Sequence, residues 1–97
     1  MIEIKQQALD DLRDITEYIA RDNPARAESF VAELLDRIAY VGGNPRLYPV
    51  RLNWNSGLRI ANHGRYRILY RASEERVVIL RVVNAARDIE AIVEGLE

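Results

Sequence analysis

The chain contains no cysteine, so neither a disulfide framework nor a thiolate metal site is open to it. Its one histidine, His63, is too little for a zinc site built from protein ligands, which takes several His or Cys side chains. No apolar run is long enough to cross a bilayer, and Glu3 and Lys5 break the pattern that a signal peptide would need. A cytoplasmic location is therefore expected. Gly-rich phosphate-cradling loops are missing, and a single histidine leaves no Ser-His-Asp arrangement to argue. Lysine is almost missing too: 13 of the 14 basic residues are arginine. Arginine grips carboxylate and phosphate through a planar fork that lysine lacks.

What remains suits one globular domain spanning 1–97, with 48% hydrophobic and 30% charged residues and enough length for a single core. The net charge of −1 hides a partition. Residues 1–45 carry a net of −4, residues 46–88 a net of +6, and residues 89–97 add three glutamates. An acidic half beside an arginine-rich half points to a localised anionic target.

MIEIK alternates Ile2 and Ile4 with charges and predicts a short strand. Ala8, Leu12, Ile15 and Ile19 then share one helical face, with Asp10, Asp11 and Asp14 expected in or near the first turns. Asn23-Pro24 ends that helix and caps another. The second carries the stripe Ala27, Phe30, Val31, Leu34, Leu35, Ile38 and Val41, and stops at Gly42 or Gly43. So tight a junction predicts an antiparallel helical hairpin. Residues 44–57 form a long connection in which a short strand is expected near Val50–Trp54. Three strands follow, at Leu58–Ala61, Arg65–Arg71 and Arg76–Val83, joined by Asn62-His63-Gly64 and by Ser73-Glu74-Glu75. Ile89, Ile92, Val93 and Leu96 predict a short C-terminal amphipathic helix, to cover the core or to self-associate.

Register decides what the arginines in GRYRILYR are for. Three-residue loops set Arg59 opposite Arg67 and Arg67 opposite Arg81, leaving Leu58, Ile60, Tyr66, Ile68, Tyr70, Val78, Leu80 and Val82 on the buried face. Leu69, Ile79 and Val77 then join the arginine face, which suits a protein contact. Two-residue loops would put Arg81 on the core side. Keeping arginine out of the core selects the first register. Its row of like charges costs about 0.2–1 kcal/mol per pair, which an anionic partner or an internal carboxylate would offset.

The segments ALDDLRDITEYIARDNPARAESF, GLRIANHGRYRILYR and VVILRVVNAARD, in this order, resemble the ParE branch of the ParE/RelE toxin superfamily. The resemblance runs from about Ala8 to Asp88. It implies an α+β fold: an N-terminal strand, an antiparallel helical hairpin, then a three-stranded antiparallel sheet with helices packed on one face, and a short C-terminal helix. It also implies a bacterial type II toxin, of the plasmid-stabilising kind, neutralised by a cognate antitoxin in a toxin–antitoxin hetero-oligomer. DNA would be bound only through the antitoxin. ParE members act on DNA gyrase, whereas RelE members cut messenger RNA on the ribosome.

RNA cleavage through the 2′-OH needs a base, a cation and an acid. By the resemblance, Arg67 matches a phosphate-contacting arginine of the RelE branch and Arg87 a second basic residue. The proton-transfer groups are missing from their usual places. Val93 stands where a RelE-like tyrosine falls, and Asn84 where many relatives have histidine. His63, Glu74, Glu75 and Tyr70 are the remaining candidates. The expectation is a toxin that binds rather than catalyses, with no cofactor and no metal. Its contact residues are Arg59, Arg65, Arg67, Arg81, Arg87 and Trp54. The alternatives are a ribosome-dependent endoribonuclease or an inactive relative kept for autoregulation.

Overall fold

The computed structural model describes residues 1–51 and 57–96. The order of elements is β1 (Ile2–Ile4), α1 (Gln6–Ala20), α2 (Pro24–Gly43), β2 (Arg59–His63), β3 (Tyr66–Ala72), β4 (Val77–Asn84) and α3 (Ile89–Glu94). One four-stranded sheet has the order β1-β4-β3-β2, and β1 joins it parallel to β4. The α+β architecture is as expected, with two additions: β1 belongs to the sheet, and α3 lies on the face opposite the hairpin. Trp54 lies outside the described residues, as does most of the strand expected at Val50–Trp54. Val50 itself forms an isolated antiparallel bridge with Arg59.

Local chemistry explains most boundaries. The Asn23 side chain accepts the Arg26 N–H at 3.0 Å, and Pro24 occupies the first helical position of α2. Both Gly42 and Gly43 remain helical, so the expected glycine stop falls one or two residues late, at Asn44. The Asn44 N–H donates to the Tyr40 and Val41 carbonyls, and its side-chain amide also donates to Tyr40 O. Gly42 serves packing instead: a Cβ there would run into the Ile2 side chain. The aspartates of α1 begin one turn in, at Asp10 and Asp11, since the helix starts at Gln6 and its first turn holds no carboxylate.

Buried side chains occupy both faces of the sheet. Ala8, Leu12 and Ile15 of α1 and Phe30, Leu34, Ile38 and Val41 of α2 pack on Ala61, Ile68, Tyr70, Val77, Ile79 and Val82. On the other face Ile89 packs on Leu58, Ile60, Leu69, Leu80 and Val83, with Ile92, Val93 and Leu96 against them. The C-terminal stripe therefore covers a second core. A single apolar face, as expected from the register, is not what forms.

The register differs for two reasons. His63 pairs with Tyr66, so the β2–β3 turn has two residues, Gly64 and Arg65, and Gly64 takes φ +58°. Further along, Leu69 pairs with Arg81 but Tyr70 with Ile79, leaving Leu80 as an extra residue in β4. Arg59 consequently opposes Tyr70, and Arg67 opposes Asn62 and Val83. No two arginines face each other in these pairings. The bulge also lets Ile79 and Val82 share the hairpin side although they are three residues apart.

Arg81, expected on a free cationic face, turns to α1. Its Nε and Nη2 donate to Asp11 Oδ2 and Oδ1 at 2.7 and 3.0 Å, and Asp11 Oδ2 also accepts the Val82 N–H at 2.9 Å. The two side chains are only 18% and 14% exposed. The Asp11 hydrogen bond holds the guanidinium above its ordinary pKa, outweighing burial, which acts the other way. Asp11→Ala strands a half-buried cation and an edge N–H. It should cost about 2–4 kcal/mol in denaturant unfolding, somewhat below the range for a fully buried pair. Asp11→Asn, which keeps an acceptor, should cost less.

Candidate protein-binding surface

The six sequence-predicted contact residues separate into three groups. Trp54 is outside the described residues. Arg59 and Arg81 are structural anchors. Arg65, Arg67 and Arg87 gather at one end of the sheet.

Arg59 shares the face of Tyr70, toward the hairpin, and its Nη1 donates to the Tyr48 carbonyl. Two further bonds hold the same connection: the Tyr70 hydroxyl donates to Pro45 O at 2.9 Å, and Arg37 Nη1 donates to the Tyr48 hydroxyl at 3.4 Å. The segment after α2 is thus tied to the sheet through one strand cation and one buried phenol. Burial pushes the Tyr70 hydroxyl above its ordinary pKa, with the nearby Arg59 acting in the opposite direction. A fully buried phenol already bonded to a carbonyl is not a base poised for proton transfer.

Arg65 lies in the β2–β3 turn and Arg87 in the turn after β4, and both are exposed. Arg67, half-buried, points to the α3 side, since Tyr66 and Ile68 on either side of it pack toward the hairpin. Tyr66 pairs with Asn84, and the Ala85 N–H donates to Arg65 O at 2.7 Å, so both turns meet at one corner. Among the described residues, no hydrogen bond or ion pair engages these three guanidinium groups.

Arg87 stands between two cavities. One, of about 160 Å³, is lined by Asp11, Asp14 and Tyr18 of α1 and by Tyr66 and Asn84. The other, of about 360 Å³, is lined by Gln7, Arg81 and the start of α3. The α1 wall is a single stripe, Gln7, Asp11, Asp14 and Tyr18, at spacings of four, three and four. Sequence reasoning missed this groove, although that polar stripe beside the apolar one was the signal for it.

The other proton-transfer candidates lie elsewhere. His63 ends β2 rather than sitting in the turn, packs on Phe30 with ring centroids 5.6 Å apart, and lies 3.6 Å from Glu33. Glu74 and Glu75 belong to the β3–β4 connection, at the far end of β3 from Arg65. Among the described residues, no group of His, Asp and Glu is arranged to hold a metal ion. Nor is any described helix long and apolar enough to cross a membrane.

The sequence matches one family model over residues 2–89, that of the ParE toxin of the type II toxin–antitoxin system parDE. This chain belongs to the ParE toxin family. ParE toxins are the toxin halves of type II toxin–antitoxin systems, so the chain is such a toxin. Among solved structures, it is similar to a chain of the chromosomal ParDE system from P. aeruginosa, with a TM-score of 0.73 and 16% identity. That alignment covers 86% of this chain and 92% of the other, and it bears on the fold. A chain of the toxin–antitoxin complex RelBE2 from Mycobacterium tuberculosis aligns with a TM-score of 0.64 and 27% identity, covering 87% and 95%. No curated protein sequence matches this ParE-family chain.

Glu33 supports the hairpin's contact with β2. Arg26 Nη1 donates to it at 2.7 Å, which with the neighbouring His63 holds its carboxyl below the ordinary value of 4.5. A depressed carboxyl contributes stability above that ordinary value and loses it as pH falls through the lower, folded-state value. The stability gap between wild type and Glu33→Gln should therefore be widest near neutral pH. It should close as pH is lowered from about 5 toward 3 in a urea-melt series.

Proposed function

We propose that this toxin acts by protein binding rather than by covalent catalysis, with DNA gyrase as its target, and that a cognate antitoxin neutralises it by presenting carboxylates to the arginine end of the sheet. The observation that carries the binding mode is the division among the arginines. Arg59 and Arg81 are consumed by structure, whereas Arg65, Arg67 and Arg87 stand together without internal partners among the described residues. Likeness to chains of two toxin–antitoxin complexes supports an antitoxin partner. The resemblance to the ParE branch supports gyrase as the target.

The proton-transfer candidates weigh against a ribonuclease. RNA cleavage requires a base and an acid beside the cation that meets the phosphate. Tyr70 is buried and bonded, His63 is packed on Phe30, and Glu74 and Glu75 lie at the opposite end of β3. Asn84, next to Arg87, is neutral and transfers no proton at a useful rate.

A gyrase cleavage assay paired with an in-cell translation readout tests the proposal. Trapped DNA cleavage with intact messenger RNA is the expected result. Cut messenger RNA with unaffected gyrase would replace it with the ribonuclease, and neither effect would indicate an inactive, autoregulatory relative. Copurification with the product of the adjacent reading frame tests the partner. Arg65→Glu combined with Arg87→Glu should weaken that complex about tenfold or more, and more at low salt, with thermal stability unchanged. Arg81→Ala should instead lower stability.

A further inference from the structure

We propose that Asn84 is a positioning residue that sets Arg65 and Arg87 on one cationic corner for a carboxylate-rich segment of a protein partner. This rests on the reading above that the arginine end of the sheet binds a partner.

Asn84 is the last residue of β4, held in register by Tyr66. Its side-chain Oδ1 accepts the Ala86 N–H at 2.8 Å, and its main-chain carbonyl accepts the Arg87 N–H at 3.0 Å. The intervening Ala85 N–H donates to the Arg65 carbonyl at 2.7 Å. Three successive amides thus converge on Asn84 and on the tip of the neighbouring hairpin. Immediately after Arg87, Asp88 caps α3 by accepting the Ala91 N–H at 3.2 Å. Arg87 is therefore fixed on both sides along the chain. The small side chains of Ala85 and Ala86, both exposed, leave the two arginines uncovered.

The residue type follows from this geometry. A short side-chain oxygen that accepts a backbone N–H two residues on closes an Asx turn, which Asn and Asp form readily. Asp would build the same turn, but it would place a carboxylate beside Arg87 and offset one of the corner's two positive charges. Asn supplies the turn and leaves the corner cationic. Two substitutions then separate the two roles. Asn84→Ala removes the turn and adds no charge, and Asn84→Asp keeps the turn and adds one.

The test uses the full chain, with hexaglutamate peptide as the probe. Backbone amide shifts at Arg65 and Arg87 follow binding, and hydrogen exchange at the Ala86 amide follows the turn. In wild type, hexaglutamate should move the Arg65 and Arg87 amides, with a response that fades as salt is added. Asn84→Ala should expose the Ala86 amide to exchange and weaken hexaglutamate about threefold or more. Asn84→Asp should keep Ala86 protected and still weaken it by a similar factor. Arg87→Gln, which leaves the turn untouched, serves as the reference for a lost cation and should match Asn84→Asp. Ala86 protection unchanged in Asn84→Ala would overturn the positioning role. So would hexaglutamate binding as tight in Asn84→Ala as in wild type, and in both cases the partner-binding corner would stand. No shift at Arg65 or Arg87 in wild type would remove the corner itself, and with it the surface on which the proposed function relies.

Discussion

A single carboxylate, Asp11, closes the sheet where its edge strand runs out. β1 spans three residues and pairs with β4 only from Val77 to Ile79, while β4 continues to Asn84. Lys5 still donates its N–H to Ile79 O, and the chain then leaves the sheet as α1. Beyond that point the outer edge of β4 would present an unpaired donor to a half-buried gap, a cost of about 1–3 kcal/mol. Asp11 supplies the missing acceptor at the Val82 N–H and simultaneously neutralises Arg81. The position of the hairpin on the sheet is thereby fixed by a charge-assisted contact as well as by the packing of Leu12 and Ile15. The extra residue at Leu80 belongs to the same arrangement, because the bulge falls in the part of β4 that β1 leaves uncovered.

Covering the sheet on both faces decides where its cations can go. With the hairpin on one side and α3 on the other, an arginine on a strand must find a partner or lie near the rim. Arg81 takes the first course and Arg59 does likewise, spending its fork on the main chain after α2. Arg65 and Arg87, in the turns, take the second, with Arg67 close to them. Three cations of the C-terminal half, Arg65, Arg67 and Arg87, thus lie at the end of the sheet where the β2–β3 turn and the β4–α3 turn meet. The acidic stripe of α1 borders this end through Asp14, and Tyr18, 66% exposed, extends the same wall. This groove therefore combines one cation, Arg87, with two carboxylates and the rings of Tyr18 and Tyr66.

The elements themselves were legible in the sequence because their signals are local. The apolar spacing of α1, the Asn23-Pro24 junction, the strand patterns and the C-terminal stripe each depend on residues within a few positions of one another. Register was not legible, since it rests on a turn length and a bulge. Asn62-His63-Gly64 and Gly64-Arg65 are both plausible hairpin loops, and nothing in VVILRVV marks Leu80 as the extra residue. The rule of keeping arginine away from buried positions then selected the wrong pairing. It fails here because the compensating carboxylate lies 70 positions away in sequence, on a helix whose aspartates look like ordinary surface charges. Of the candidate site, Arg67 is placed by its pairing with Asn62 and Val83, and Arg65 and Arg87 lie in two turns joined by the Ala85–Arg65 backbone bond, not by the strand alignment that first linked the arginines.

General acid–base chemistry needs two groups of suitable pKa within hydrogen-bond reach of a common substrate position. In this fold three side chains able to do such work are held by contacts that the architecture needs. Tyr70 anchors Pro45, His63 fills the space between Phe30 and Glu33, and Asp11 is divided between Arg81 and Val82. Freeing any of them would loosen a tertiary contact in a fold of marginal stability. The arginine corner differs: its main chain is held by backbone and Asx bonds, and among the described residues no hydrogen bond or ion pair engages its guanidinium groups. Tyr70, His63 and Asp11 are thus committed to the fold, whereas Asp14 and the exposed Tyr18 line the groove beside Arg87.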